Sequence, residues 1–251
     1  INSLSNDFSY VTLVFLTYCL RGGPVADYDA LAMFYDHIHG SRRKTVRYLK
    51  KLLKTTPPGA RKLLSLACGT GRLEQAFSKR YEITGIDISK SMVAEAKARC
   101  PRGTFYCQDM CDIDFEAEFD VVLCAFASIN HLLQFEDWDA FFERVARALK
   151  PGGLFVFDML SEVCLHNLLL NSPLLQKTSR LFSVTEFTRL DDNITKWHVK
   201  AFSIKSQPVP LFTVNVKQTA FDATRITKAL SKHFAHIDTF DPEQGHVTSR
   251  S

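Results

Sequence analysis

The feature that most constrains the fold is an alternation of apolar, strand-like runs with helical segments between residues 63 and 157. The runs 63–67 and 119–125 are nearly continuous in apolar residues, which is typical of strands buried on both faces. Strands separated by helices of this length form a parallel sheet through right-handed crossovers. The chain is therefore predicted to have an α/β fold with a doubly wound, mostly parallel, Rossmann-like sheet.

The elements of this region can be placed from their spacing. Further strands are predicted at residues 82–87, 104–107 and 154–157, and helices at 71–80, 89–99 and 137–149. A Pro-Gly-Gly turn at residues 151–153 is expected to separate the last helix from the strand that follows it.

The pattern changes after residue 158. Runs at 181–190, 194–205 and 211–221 are strand-like, and in the last of them apolar and polar residues alternate. Alternation of this kind predicts an antiparallel sheet with one solvated face, inserted into the α/β body. We expect an N-terminal extension (1–26), a helical cap (27–60), the α/β core (61–160), the β-rich insert (161–221) and a C-terminal helix and strand that complete the core (222–251).

Composition excludes several classes of protein. The chain has 251 residues, 23% of them charged, and a net charge of +4, which gives little reason to expect a nucleic-acid or membrane partner. Its seven cysteines form no C-x-x-C pair, so we expect reduced thiols in a cytoplasmic protein and no metal site. The oligomeric state stays open.

Two segments near the N-terminus allow more than one interpretation. The apolar run 10–20 is too short to span a bilayer, which favours a strand or helix packed on the domain, or a non-native extension, over a membrane or partner anchor. The sequence begins at Ile1, which leaves open whether it is a fragment. Helix 41–54 carries a basic stripe without interleaved aromatic residues, which favours a solvated face over an RNA contact.

Three motifs follow successive strands of the predicted sheet. Gly69 and Gly71 form a turn where the backbone can approach a ligand closely, next to free N–H groups of the following helix. Asp87 ends the second strand, where a carboxylate can accept hydrogen bonds from ribose hydroxyls. Asp109 and Met110 follow the third strand, where they can contact the amine and the ring of an adenine.

Together the motifs LACGTG, GIDIS, QDM, FDVVLCAF and LKPGGLFVFD resemble those of the class I S-adenosylmethionine-dependent methyltransferases, over residues 28–240. The YDALAMFYD segment and the β-rich insert are similar to small-molecule N-methyltransferases, with amino-sugar and glycine N-methyltransferases as the nearest analogues. The resemblance implies a sheet whose last, seventh strand is antiparallel, and the chain ends where that strand should begin.

The resemblance also implies roles for individual residues. S-adenosyl-L-methionine is expected to be held at its methionine part by Ala67, Gly69 and Gly71, at its ribose by Asp87, at its adenine by Ile88, Asp109 and Met110, near its sulfonium by Ala125, and from above by Tyr28 and Tyr35. For Tyr35, core packing is an equal alternative. The family usually has an acidic residue where Ser65 stands, so a charge near the cofactor's ammonium group is expected to be missing.

The residues expected to contact the methyl acceptor are less clearly indicated by the sequence than those expected to contact the cofactor. His131 is hypothesised to act as a base or to orient an amine, and the alternative is a surface histidine at the start of a helix. Asp158 is expected to face the cleft and bind a cationic amine. Trp197 and His198 are candidates for the pocket wall. The predicted function is methylation of a small molecule, with a macromolecular substrate (tRNA or protein) or a non-catalytic role as alternatives. A nicotinamide-dependent dehydrogenase is disfavoured, because it would need glycine or alanine at the position of Glu74.

Overall fold

The computed structural model describes residues 10–15, 28–29, 32–36, 42–179, 181–204, 210–240 and 247–250. The strands are β1 (Tyr10–Phe15), β2 (Lys62–Leu66), β3 (Glu82–Asp87), β4 (Thr104–Cys107), β5 (Phe119–Cys124), β6 (Leu149–Met159), β7 (Leu174–Lys177), β8 (Leu181–Arg189), β9 (Ile194–Ser203), β10 (Pro210–Thr219), β11 (His236–Phe240) and β12 (Val247–Arg250). The helices are α1 (Arg43–Leu52), α2 (Arg72–Phe77), α3 (Lys90–Arg99), α4 (Phe135–Ala148), α5 (Glu162–Leu170) and α6 (Ala223–Leu230).

The main sheet has eight strands in the order β12-β11-β1-β6-β5-β2-β3-β4. Neighbouring strands from β11 to β4 are parallel, and β12 is antiparallel to β11. The predicted Rossmann-like sheet is thus confirmed. An antiparallel last strand is present at the edge of the sheet, so the expectation that the chain ends before it is wrong.

Strand β1 explains the apolar run near the N-terminus. It lies between β6 and β11 and is parallel to both, with Thr12 opposite Val156 and Asp238. Its apolar residues therefore belong to a strand in the sheet, as favoured from the sequence for residues 10–15. Residues 16–20 of the same run lie outside the described part of the chain. None of the described helices is long and apolar enough to cross a membrane.

Helices cover both faces of the main sheet. On one face α4 and α6 pack through large apolar side chains, among them Trp138 and Phe142. On the other face α1, α2 and α3 pack through Leu49, Phe77 and Val93. Because both faces are buried, the strands between them are apolar throughout, as the sequence pattern predicts.

The boundary between α4 and β6 differs from the prediction. Strand β6 begins at Leu149, directly after α4, and continues through the Pro-Gly-Gly segment, where Gly152 has a φ of +75°. The register of the β5–β6 pair shifts between Phe119 and Val121. Between these two pairs β5 advances by two residues and β6 by five, so the Pro-Gly-Gly segment forms a local irregularity that does not end the strand.

The insert forms a second sheet of four strands in the order β10-β9-β8-β7. All of its neighbouring strands are antiparallel, as predicted. Its buried face packs with α5 and with residues of the N-terminal helical segment, which we define as residues 28–29 and 32–36. The insert therefore stands over the edge of the main sheet where the parallel strands end.

Candidate functional site

A cavity of about 760 Å³ lies between the carboxyl ends of the parallel strands and the insert. Its volume is within the range of small-molecule sites. The N-terminal helical segment, the loops after β2 to β5, and β9 and β10 of the insert all contribute to its wall. The lining residues are Tyr28, Tyr35, Ala67, Gly69, Asp87, Ile88, Met92, Gln108, Asp109, Met110, Ser128, His131, Leu132, Leu133, Leu190, Lys196, Asn215, Val216 and Lys217.

The glycine turn after β2 uses its two glycines differently. Gly69 has a φ of +55°, and a Cβ built on it would meet no atom within 4 Å, so open space lies against its backbone. Gly71 has a φ of +74°, and a Cβ there would lie 2.8 Å from the Cα of Ala96 in α3. Gly71 is not among the residues that line the cavity. The structure therefore gives Gly71 a packing role, whereas Gly69 forms part of the cavity wall.

Asp87 lies at the end of β3 with a side chain that is 8% exposed and lines the cavity. Its carboxylate accepts hydrogen bonds from Gly69 N at 2.7 Å and Ser89 N at 3.0 Å. Burial raises the pKa of Asp87, and these two backbone hydrogen bonds lower it. A carboxylate has about four acceptor sites, so Asp87 can still accept from the hydroxyl groups of a ligand.

Asp109 lines the same cavity one strand further along the sheet. Its Oδ1 accepts a hydrogen bond from Cys111 N at 2.8 Å. Ile88, which is 39% exposed, Met92 and Met110 line the wall beside it. The arrangement combines a polar acceptor with apolar surface, which suits a flat heterocycle that carries an amine.

A smaller cavity adjoins the glycine turn and contains a residue that the sequence did not single out. Arg42 and Ala125 line it, together with Tyr35 and Gly69, which both cavities share. The guanidinium of Arg42 lies 3.9 Å from the centre of the Phe126 ring, and its Nη2 is buried without a hydrogen-bond partner among the described residues. In the sequence, Arg42 directly precedes the basic stripe, whose members are Arg43, Arg47, Lys50, Lys51 and Lys54, and no motif distinguishes it.

The N-terminal helical segment is held against the glycine turn by ion pairs. Asp36 accepts from Thr70 Oγ1 at 2.9 Å and pairs with Arg72 Nε at 3.1 Å and Arg99 Nη2 at 2.6 Å. This network positions Tyr28 and Tyr35, whose ring centres are 6.4 Å apart, in the wall of the large cavity.

His131 lies in the cavity wall just after β5. Its Nε2 is 3.3 Å from the hydroxyl of Tyr28, and its ring also forms a hydrogen bond with the backbone of Lys217. Burial lowers the pKa of His131 to about 4, against the raising effect of that backbone hydrogen bond. The imidazole is therefore neutral at physiological pH and can accept a proton or a hydrogen bond.

Asp158 was expected to face the cleft, but the structure places its side chain outside both cavities. Its side chain is 5% exposed and does not line either cavity. Its Oδ1 accepts a hydrogen bond from Ala127 N at 3.0 Å, and burial raises its pKa to about 7. Because Phe126 and Ala127 both have positive φ values (66° and 56°), the carboxyl group stabilises a strained turn after β5.

Two further expectations from the sequence concern Trp197 with His198, and Ser65. Trp197 is fully buried in the insert and His198 forms a 2.9 Å hydrogen bond with Asn215, and neither lines the cavity. Ser65 donates a hydrogen bond at 2.5 Å to Glu74, whose carboxyl group is 2% exposed and has a pKa raised by burial to about 7. Among the described residues no group of His, Cys, Asp and Glu side chains could hold a metal ion.

Comparisons with known proteins agree with this geometry. Residues 63–153 match the model of a methyltransferase domain family. A dTDP-3-amino-3,6-dideoxy-alpha-D-glucopyranose N,N-dimethyltransferase of Streptomyces fradiae is 34% identical over 142 residues, which are 54% of this chain and 56% of that protein. The chain thus spans a little over half the length of such relatives.

Solved structures match over a larger share of the chain. An S-adenosylmethionine-dependent methyltransferase from Clostridium acetobutylicum covers 81% of this chain and 86% of its own, with a TM-score of 0.69 and 23% identity. The sugar N-methyltransferase KedS8 from a Streptoalloteichus species covers 88% of each chain, with a TM-score of 0.68 and 22% identity. At these identities the likeness concerns the fold.

Proposed function

We propose that this chain, which has the fold of the class I S-adenosylmethionine-dependent methyltransferases, is an enzyme that transfers a methyl group from S-adenosyl-L-methionine to an amine of a small molecule. The observation that carries the proposal is the convergence of Asp87 and Asp109, from neighbouring strand ends, on one cavity beside the glycine turn. Ligands of open α/β sheets bind at this edge.

The residues of the cavity fit the proposed cofactor part by part. Asp87 offers acceptors for ribose hydroxyls, and Asp109 offers one for the exocyclic amine of adenine next to the apolar wall of Ile88 and Met110. Open space against Gly69 leaves room for the methionine part. The unpartnered Nη2 of Arg42 in the adjoining cavity is a donor for its carboxylate, because guanidinium groups bind carboxylates strongly.

When bound, S-adenosylmethionine supplies an electrophilic methyl group on a sulfonium centre. The chain's contribution is to align the acceptor amine with that methyl group, and positioning of this kind is worth roughly 7–11 kcal/mol where the geometry is near attack. His131, neutral and hydrogen-bonded to Tyr28, is proposed to orient the amine, whose proton leaves to solvent after the methyl transfer. Asp158 is proposed to be a positioning residue: through its hydrogen bond with Ala127 N it stabilises the turn that carries Ala125 to His131.

Amino sugars are the acceptor class that we propose first. The relative from Streptomyces fradiae and the structural neighbour KedS8 are both named as sugar N-methyltransferases. In this chain the insert forms the wall opposite the cofactor end of the cavity, so we propose that it binds the acceptor. A small-molecule acceptor in the cytoplasm, rather than a nucleic acid, is part of the same proposal.

The proposal is tested by following labelled methyl transfer from S-adenosylmethionine to a panel of amines that includes free and nucleotide-linked amino sugars. We expect transfer by the wild-type protein and a fall in kcat of about 100-fold or more in His131→Ala. Because the pKa of His131 is about 4, its imidazole stays neutral from pH 5 to 8, and the same factor should be lost at pH 6 and pH 8.

The control variant is His166→Ala, which removes an exposed histidine of α5 outside the cavity and should leave kcat unchanged. Absence of methyl transfer to every amine, with transfer to tRNA or to protein instead, would favour a macromolecular substrate. A His131→Ala defect that disappears as the pH falls from 8 to 6 would contradict the proposed neutral imidazole.

A further inference from the structure

We infer that the acceptor carries a negatively charged group, phosphate or carboxylate, which Lys196 and Lys217 bind at the insert end of the cavity. The inference rests on the proposed function, because it assigns a chemical property to the molecule that is methylated. It begins from a juxtaposition in the insert: both lysines line the cavity, and they come from adjacent strands.

The two lysines stand directly opposite each other in the β9–β10 register. Side chains at directly opposite positions of an antiparallel pair have Cβ atoms about 4.5–5.5 Å apart. Lys196 is half-buried and Lys217 is exposed, and both line the cavity. Because lysine side chains are long and flexible, two of them on neighbouring strands can contact the same anion.

The charges of this pair are not neutralised by an ion pair within the described part of the chain. On the other side of β9, Thr188 of β8 is opposite Lys196, and Glu186 is opposite His198. The acids that line the cavity, Asp87 and Asp109, follow β3 and β4 at its other end.

Like charges at directly opposite positions destabilise a sheet. An anion bound between Lys196 and Lys217 would remove their repulsion and add two charge-assisted hydrogen bonds, which are about twice as strong as neutral ones. The arrangement is therefore costly in the free protein and favourable in a complex with an anionic ligand.

The pair also lies beside the group that we assign to the amine. The ring of His131 forms a hydrogen bond with the backbone of Lys217, so the anion and the amine of the acceptor would bind on adjoining parts of one wall. Asn215, two residues before Lys217 in β10, lines the same wall and adds polar atoms. The acceptor class that fits is a small amine with a phosphate or carboxylate a few bonds away.

The test measures the binding of inorganic pyrophosphate and of succinate by calorimetry, at constant ionic strength, to protein saturated with S-adenosylhomocysteine. We expect the wild-type protein to bind at least one of the two anions, and the double variant K196M/K217M to bind it at least 10-fold more weakly. Tighter binding of pyrophosphate identifies a phosphate-bearing acceptor, and tighter binding of succinate a carboxylate-bearing one.

Two further variants separate charge from structure. Lys200→Met changes a lysine of β9 that does not line the cavity and should bind the anion as the wild-type protein does. K196R/K217R keeps both charges and should keep most of the binding. The inference is overturned if neither anion binds the wild-type protein, or if K196M/K217M binds as tightly as K200M.

Failure of this inference and failure of the proposed function can be told apart. The affinity for S-adenosylhomocysteine is measured first, and it should be equal in all four proteins because the lysines lie at the other end of the cavity. If the wild-type protein does not bind S-adenosylhomocysteine, the proposed function fails regardless of the lysines. If it does and the anion result is negative, only the anionic acceptor is excluded.

Discussion

At the scale of single residues, similar carboxyl groups have different roles, and their backbone partners decide which. Asp87 and Asp158 both lie near the carboxyl end of a parallel strand, which is why both were expected in the cleft. Asp87 bonds to the glycine turn and lines the cavity. Asp158 instead accepts a hydrogen bond from Ala127 N, in a turn whose positive φ values no sequence pattern predicted.

Ser65 also has a contact in the structure that its position in the sequence did not predict. Its neutral side chain predicted that a charge would be missing near the cofactor's ammonium group. In the structure Glu74, from the first turn of α2, places a carboxyl group against the Ser65 hydroxyl. Residues nine positions apart meet because α2 folds back over β2, a contact that the order of motifs alone does not reveal.

Arg42 gives a test at this scale. If its guanidinium binds the carboxylate of the methionine part, Arg42→Met should weaken the binding of S-adenosylhomocysteine by about 10- to 100-fold, a loss of roughly 1.4–2.7 kcal/mol. Calorimetry should show no comparable change for methylthioadenosine, which lacks the amino-acid part. Arg43→Met, at an exposed neighbouring position outside both cavities, is the matched control.

An equal loss of affinity for both compounds in Arg42→Met would contradict this assignment, because it would indicate a general disturbance of the site. Unchanged affinity for both would remove Arg42 from the binding residues altogether.

At the scale of elements, the sequence pattern was sufficient where burial alone determines the structure. The strands Glu82–Asp87 and Thr104–Cys107 coincide with their predicted bounds. Strand β7 was not predicted, because its four residues, LLQK, are too few to show the alternation of apolar and polar residues that marks a strand. The apolar run 10–20 could not reveal which strands it would join, since pairing with β6 and β11 depends on contacts far along the chain.

The packing of α2 against α3 gives a prediction for an element. Gly71→Ala places a methyl group 2.8 Å from the backbone of Ala96 at a φ of +74°, so both strain and overlap oppose the native conformation. We expect a loss of about 2–4 kcal/mol in the free energy of unfolding, measured by denaturant titration.

Gly59→Ala is the matched control, because a Cβ there would meet no atom within 4 Å and its φ is not in the left-handed region. Its effect should be within about 0.5 kcal/mol of zero. A similar effect of the two substitutions would show that the contact between Gly71 and Ala96 does not constrain this turn.

At the scale of the whole molecule, the resemblance drawn from five motifs is confirmed by the match of residues 63–153 to a methyltransferase domain family and by the fold of the structural neighbours. These motifs lie at strand ends, where order along the chain fixes position in space, so the cofactor end was predictable. The acceptor end was not, because there His131 meets Tyr28 and Lys217 from three distant parts of the chain.

We propose that this cavity binds S-adenosylmethionine through Asp87, which calorimetric titration with S-adenosylhomocysteine measures. We predict one binding site per chain and an affinity at least 30-fold lower in Asp87→Ala, with Asp114→Ala, at an exposed aspartate outside the cavity, unchanged. Removing a buried partner of a hydrogen bond costs about 1–3 kcal/mol or more, which corresponds to such a factor. No binding to the wild-type protein, or equal binding to Asp87→Ala, would contradict the account.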